Sequence, residues 1–479
     1  MYLGLDLGTS GLKALLVDDA HRPVAEATAP LSVSRPRSGW SEQDPAHWIA
    51  AAETALGALA AKAPLGGVCG IGLSGQQHGA TCLDAAHEVI RPAILWNDTR
   101  ASLEASELNA REGIRERTGN IVFAGFTAPK LVWMARHEPE AFERVALVLL
   151  PKDYLRLWLT GEAVTDMSDA SGTNWLDIAG RCWGDDLLAA TGLSASAMPR
   201  AVEGCDVSAT LRPAVAERFG LPAGVPVAGG GGDNAAAAVG MGVIEPGSAF
   251  LSLGTSGVVF APSPGFRPAP DTAIHTFCHA LPDRWHQMGV ILAATDALEW
   301  FARLTGAGAA ELTGGLGDLE APGRTLFLPY LGGERTPHND PDVRAALFGI
   351  GHESDREAVT RAVLEGIAFA VRDCRDALAS TGTAIDRLTA VGGGSRSAYW
   401  LETIATVLGV PVDVPAAGDY GAAFGAARLA MMAATGAGAE IATPPHVART
   451  VEPVTSLASA FDEAHARYRI AYGALKAVG

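Results

Sequence analysis

The 479-residue chain is too long for one hydrophobic core, so two or more domains are expected. Apolar residues make up 48% of it, and its formal charge is −17. That balance fits a soluble globular protein and argues against nucleic acid or an anionic membrane as partner, while leaving room for a local phosphate site.

No apolar run is long enough to span a bilayer, and the opening Met-Tyr-Leu-Gly-Leu-Asp reads as a β-strand with no basic leader region. The six cysteines are scattered, with no Cys-x-x-Cys pair, so reduced thiols in the cytoplasm are expected. Residues 2–7 and 12–17 form a predicted hairpin with tip Gly8-Thr9-Ser10-Gly11, and residues 24–30 add a third strand. Pro45 opens an Ala-rich helix to about residue 63. A strand over 68–73 runs into the polar loop Ser74-Gly75-Gln76-Gln77-His78-Gly79. Helices are expected over 129–137 and 153–160, and a polar stretch covers 165–180. The strand 225–228 feeds Gly229-Gly230-Gly231-Gly232-Asp233-Asn234, followed by four alanines.

This stretch reads as a glycine loop that places Asp233 in the first turn of a helix. Free N–H groups and the helix dipole there favour an ionised carboxylate. The glycines would let a ligand approach the backbone closely. After Gly240 the pattern restarts. Strands at 249–253 and 258–261 flank a second Gly-Thr-Ser-Gly tip at 254–257, a partial internal repeat with one copy per half. Residues 306–323 read as loose, 325–331 as a strand, and 356–380 as a long amphipathic helix. The strand 388–391 feeds Gly392-Gly393-Gly394-Ser395, and helices follow over 398–408 and 420–434. Strands alternating with helices imply an α/β protein in two domains, residues 1–241 and 242–479.

A single glycine-tipped hairpin is an ordinary turn. Two copies in corresponding places favour phosphate binding by backbone N–H groups and hydroxyls. Asp6, at the end of the first strand, could hold Mg²⁺ through water. Gly70, Gly72 and Gly75 match Gly-x-Gly-x-x-Gly formally, but they lie along a strand and no helix follows, so a dinucleotide site is excluded. His275, Cys278, His279 and His286 lack a zinc spacing and read as strand packing. His78, in a glycine-flanked loop, reads as a ligand contact. Asn97, Asp98 and Arg100 form a similar polar cluster, for which a solvated helix start is a simpler reading than ligand contact.

Asp6-Leu7-Gly8-Thr9-Ser10, Gly254-Thr255-Ser256 and Gly392-Gly393-Gly394 resemble the two phosphate elements and the adenosine element of the actin/hexokinase/heat-shock ATPase fold. Gly125-Phe126-Thr127-Ala128-Pro129-Lys130 is similar to a signature of the FGGY carbohydrate kinases. Trp40-Ser41-Glu42-Gln43-Asp44-Pro45, Leu150-Pro151-Lys152-Asp153-Tyr154-Leu155, Gly230-Gly231-Gly232-Asp233-Asn234 and Gly333-Glu334-Arg335-Thr336-Pro337-His338 resemble that family's bacterial xylulokinase branch.

The resemblance implies two actin-like (ribonuclease H-like) domains with a central cleft. It also implies ATP- and Mg²⁺-dependent phosphorylation of a ketopentose, D-xylulose at its 5-hydroxyl. Asp233 matches the catalytic base, and Gln77, His78, Asp233 and Asn234 the sugar site, with Gln77 where methionine is usual. Asp6, Thr9, Ser10 and Lys13, Gly254, Thr255 and Ser256, and Gly393, Gly394 and Ser395 match the ATP site, with Asp6 linked to the metal. The domain roles follow: sugar, first phosphate hairpin and base in the first, second phosphate hairpin and adenosine in the second. A homodimer is compatible with the resemblance. The rival readings are a kinase of ribulose, glycerol or an alditol, an actin- or chaperone-like ATPase, and a sugar-binding regulator without catalysis, which the intact Asp233 disfavours.

Overall fold

The computed structural model describes residues 1–416 and 421–477. The chain forms two compact units. The first is Met1–Ile244 with Phe277–Trp285 and Gly418–Pro444; the second is Glu245–Thr276 with His286–Ala417 and Pro445–Gly479. The first break lies close to the expected one, but two later segments return to the first unit.

The strands Tyr2–Leu7 and Gly11–Val17 pair as the expected hairpin, with Leu7 opposite Leu12. Their residues alternate between two apolar layers. Leu3, Leu5, Leu7, Leu12, Ala14 and Leu16 pack with Trp48, Ala52 and Leu56 of the helix Pro45–Lys62. Tyr2, Leu15 and Val17 pack with Ala423, Phe424 and Ala427 of the helix Ala422–Thr435. That helix was expected in the second half from residue 420, which lies outside the described residues. Its place in the first unit is made by small residues. A Cβ on Gly4 would lie 1.9 Å from the Ala423 carbonyl oxygen, and one on Gly72 1.8 Å from that of Ala426. Gly425 in turn lets the helix Asp233–Met241 close in, since its Cβ would lie 1.7 Å from the Ala236 oxygen. The abundant Ala and Gly thus set short helix–sheet and helix–helix distances.

The first sheet runs Val207–Thr210, Pro226–Ala228, Gly70–Gly75, Tyr2–Leu7, Gly11–Val17, Pro23–Pro30. The second contains, in order, Val447–Val451, Val412–Pro415, Ile385–Val391, Gly247–Leu253, Gly257–Ser263 and Trp285–Ile291. In each, the hairpin's first strand pairs antiparallel with its mate and parallel with the strand on its other side. A further parallel strand and an antiparallel one follow in both. The internal repeat therefore extends from the Gly-Thr-Ser-Gly tip to a whole sheet. The second core forms around the helices Thr295–Thr305, Arg356–Ala379, Ala398–Leu408 and Ala458–Lys476. The stretch 306–323 holds a short helix, Ala309–Gly314.

Candidate active site

In the first unit three parallel strands end together. Asp6 is the register partner of Ser74, and Leu7 of Gly75. Gly231 and Gly232 pair with the same Ser74 and Gly75 from the other side. Asp6, the turn that carries Gln76, Gln77 and His78, and Asp233 therefore collect at the carboxyl ends of adjacent strands. Open α/β sheets bind ligands at such ends.

Asp233 is the first residue of the helix Asp233–Met241, and Gly232, with no side chain to offer, is its cap. Asp233 Oδ1 accepts hydrogen bonds from the Asn234 amide N–H at 2.7 Å and from Asn234 Nδ2 at 2.9 Å. Oδ2 accepts none among the described residues. The carboxyl keeps partial solvent access but is set among dense protein. Burial pushes its pKa up to about 6, against the two lowering bonds from Asn234. The helix start does not dominate, contrary to the sequence expectation. The arrangement is a half-buried carboxylate with one oxygen held, one open, and a basicity suited to taking a proton near neutral pH.

The glycines before Asp233 do not make room for a ligand as expected. A Cβ on Gly229 would lie 2.1 Å from the Glu203 oxygen, and one on Gly230, at φ +80°, 2.2 Å from the Leu73 oxygen. On Gly232 it would lie 2.5 Å from Gln77 Nε2. The run is a close-packed strand end, pressed against its neighbours by the absence of side chains.

Gln77 is buried, and its Nε2 donates to the Ser168 carbonyl at 3.2 Å. Its side chain therefore braces protein. His78 adopts φ +69° and stacks on Phe126 at 4.3 Å between centroids. Its Nδ1 lies 2.8 Å from the Gly172 carbonyl, which can only accept, so Nδ1 carries the proton. The His78 carbonyl accepts from Lys130 Nζ at 2.8 Å. The ring is thus fixed in place and in tautomer.

At the first hairpin tip, Thr9 Oγ1 donates to Gln76 Oε1 at 2.8 Å and accepts from Trp96 Nε1 at 2.9 Å. Gln43 Nε2 donates to the Thr9 carbonyl at 2.8 Å, and Gln43 Oε1 accepts from Gln76 Nε2 at 2.9 Å. The Thr9 hydroxyl therefore serves the loop's own shape. Lys13 lies opposite Asp6 in the register and pairs with Glu26 at 2.8 Å. Ser10 is exposed at the tip.

In the second unit Ser252 pairs with Val391, so the tip Gly254-Thr255-Ser256 and the loop Gly392-Gly393-Gly394-Ser395 leave neighbouring strand ends. Thr255 and Ser256 are exposed. The Gly254 carbonyl accepts from Thr295 N and Thr295 Oγ1, both at 2.9 Å. Gly392, at φ +91°, and Gly394 press on Leu253, and Ser395 Oγ donates to the Gly392 carbonyl at 2.7 Å. Gly393 alone of the three glycines has open space where a side chain would stand, so it is the one a flat ligand can approach.

Several charged residues are buried. Asp98 and Arg100 are not a solvated helix start. Both side chains are buried, paired to each other and, through Arg100, to Glu42 at 2.7 Å, with the guanidinium over the Trp40 ring. Lys152 lies fully buried among Asp153, Asp166 and Asp169. Burial opposes its charge, but the three carboxylates outweigh it and raise its pKa above the usual value. Glu334 Oε1 accepts from Leu292 N at 2.9 Å and Arg335 N at 2.8 Å, and burial pushes its pKa up to about 8. His275, His279 and His286 pack within strands or beside them, as expected. Burial holds His279 down to about 3, and His286 stacks on Phe260 at 4.3 Å. All six cysteines are free. Among the described residues no helix is long and apolar enough to cross a membrane.

The N-terminal domain of the FGGY family of carbohydrate kinases matches residues 1–240, and its C-terminal domain matches residues 249–434. The chain belongs to the FGGY family of carbohydrate kinases. It is an α/β protein of two domains with the actin-like (ribonuclease H-like) fold of that family, and it is a sugar kinase. Among relatives, it is 49% identical to the xylulose kinase of Escherichia coli strain K12 over 91% of this chain and 90% of that one. It is 50% identical to the xylulose kinase of Klebsiella pneumoniae over 90% of each. A crystal structure of a xyloylose kinase from Brucella ovis covers 100% of both chains at 59% identity, with a TM-score of 0.99.

Proposed function

We propose that this FGGY kinase transfers the γ-phosphoryl group of ATP to the 5-hydroxyl of D-xylulose, giving D-xylulose 5-phosphate and ADP. The relatives named above, aligned over nearly the whole chain, support the sugar. The observation that carries the chemistry is Asp233, a carboxylate with one open oxygen and a pKa of about 6 at the ends of the parallel strands.

Asp233 Oδ2 accepts the proton of the sugar hydroxyl as that oxygen bonds to the γ-phosphorus. The bond from phosphorus to the β–γ bridging oxygen breaks, and ADP leaves with that electron pair. Such transfers need mostly positioning and charge neutralisation, so the base acts late. Asn234 holds Oδ1 and aims Oδ2. His78, locked over Phe126, orients the sugar, with Gln77 and Asn234 shaping the wall beside it. The backbone N–H groups at Thr9 and Ser10, and at Gly254, Thr255 and Ser256, hold the phosphates, with Lys13 adding positive charge. Gly393, flanked by Gly394 and Ser395, receives the adenine. Asp6, a hard oxygen donor at a strand end, fits Mg²⁺ through water. Bound Mg²⁺ neutralises charge on the phosphates. On this reading the first domain carries the sugar and the base, and the second the adenosine. The free thiols suit a reducing cytoplasm.

ADP release measured with D-xylulose, D-ribulose, glycerol and no sugar tests the assignment. Fastest turnover on D-xylulose is expected. Equal release without sugar would overturn the kinase reading, and preference for another acceptor would overturn the substrate.

A further inference from the structure

Beside the proposed base lies a fully buried set of charges to which the transfer reaction assigns no task. Asp153, Asp166 and Asp169 surround Lys152, and Arg156 is buried nearby. They lie on the helix Pro151–Thr160, the strand Val164–Asp166 and the short helix Met167–Ala170. Ser168 connects this set to Asp233. Its hydroxyl donates to Asp166 Oδ2 and accepts the Gly232 amide N–H at 3.1 Å. Its own amide donates to Asp166 Oδ2 at 2.8 Å. Its carbonyl accepts Gln77 Nε2 at 3.2 Å. Asp166 Oδ1 is 2.7 Å from Lys152 Nζ.

Gly232 is the residue before Asp233 and the cap of its helix, and it offers no side chain to set the entry angle. Its N–H is held by Ser168. The Gly232 α-carbon is hemmed by Gln77, which Ser168 also holds. Ser168 is wholly buried and fixed through its amide, hydroxyl and carbonyl. It therefore has one place to stand, and that place fixes the backbone that launches Asp233.

We infer that Ser168 is a positioning residue for the phosphoryl transfer, tying the backbone at Gly232–Asp233 to the buried Lys152–Asp166 pair so that Asp233 Oδ2 meets the acceptor hydroxyl. The inference rests on Asp233 being the base. Without the Ser168 hydroxyl, the Gly232 N–H loses a buried partner and the helix start is free to shift. A displacement of about 1 Å in a reacting group lowers turnover by up to roughly 100-fold.

The test is a double-mutant cycle with D-xylulose and ATP, using the intact chain. Ser168→Ala is expected to lower kcat roughly 10- to 100-fold, to leave KM for ATP unchanged, and to move the acid limb of the kcat–pH profile. Ser168→Thr, which restores the hydroxyl, is expected to recover most of kcat. In an Asp233→Ala background the same Ser168→Ala change should alter the residual rate less than about twofold, because groups acting as a unit are non-additive. An unchanged kcat and pH profile in Ser168→Ala would overturn the inference. So would an equal fold-loss in both backgrounds, which marks a merely structural role. Full turnover in Asp233→Ala would instead overturn the base assignment, so the two failures are distinct. If Ser168→Ala does not fold, Ser168→Cys takes its place under the same outcomes.

Discussion

Asp233→Asn removes a charge and keeps a shape, so it separates the chemistry of Asp233 from its packing. The Asn oxygen can still accept the two hydrogen bonds from Asn234. In the wild type, burial moves the carboxyl from an ordinary 3.8 to about 6. At about 1.4 kcal/mol per unit, ionising it in the folded state costs up to roughly 3 kcal/mol more than in the unfolded chain. The sign follows from the raised value. The wild type is fully stable with respect to this group below about pH 4, loses stability as pH rises towards 6, and is level beyond. Asparagine suffers no such loss. Asp233→Asn is therefore expected to exceed the wild type by up to about 3 kcal/mol above pH 6, by about half of that at pH 5, and by almost nothing below pH 4. Thermal melts across this range should show a gap of several degrees that opens with pH, at roughly 2–4 °C per kcal/mol. In parallel, kcat should fall roughly 10²- to 10⁴-fold, and the wild-type rate should decline below about pH 6 with one proton. A melting gap that does not vary with pH would refute the burial argument. A variant with wild-type turnover would refute the base.

Three further outcomes are expected. Lys152→Met leaves three carboxylates without their cation, so it should destabilise the protein by about 3–5 kcal/mol in denaturant titrations. Glu334, with a pKa of about 8, is largely neutral at pH 7. Glu334→Gln should therefore melt like the wild type below about pH 4.5 and at a higher temperature than the wild type at pH 7, where the unfolded wild type is ionised, whereas Glu334→Ala strands two part-buried N–H groups and should cost about 1–3 kcal/mol relative to Glu334→Gln. Because its folded value is raised from 4.5 to about 8, the wild type should lose stability relative to Glu334→Gln as pH rises through that range. Gly393→Ala, with open space around it, should leave the melting temperature unchanged and raise KM for ATP. Gly394→Ala, whose Cβ would lie 2.8 Å from Trp400, should lower the melting temperature.

The two hairpins were legible because each combines period-two apolar strands with a glycine tip. The repeated tip was enough to divide the chain in two. The return of Ala422–Thr435 to the first unit was not legible, since an Ala-rich helix has the same local signal in either half. What sends it there is the absence of side chains at Gly4 and Gly72, both on other elements. Lys152, Asp153, Asp166 and Asp169 stayed hidden for a related reason. Each is a charged residue that normally faces water, and only tertiary contact makes four of them wholly buried. Ser168 lies in a stretch that reads only as polar, with no periodicity to reveal a short strand and helix.

The glycine run before Asp233 shows how a correct local reading can point the wrong way. Glycine signals that something comes close, but it does not say whether that is a ligand or the protein's own backbone. Here the neighbours are the carbonyls of Glu203 and Leu73 and the amide of Gln77. The ionisation state of Asp233 turned on magnitudes as well. A helix N-terminus stabilises a carboxylate by about 0.3–1 kcal/mol, whereas burial here works against it by up to roughly 3 kcal/mol. Sequence displays the first effect, through the position of Asp233 at the start of a nine-residue helix, and conceals the second. Burial outweighs the helix start and leaves a carboxylate basic enough to draw a proton from an alcohol as its oxygen bonds to phosphorus. The close packing that sequence could not display is thus what fits Asp233 for the role proposed for it.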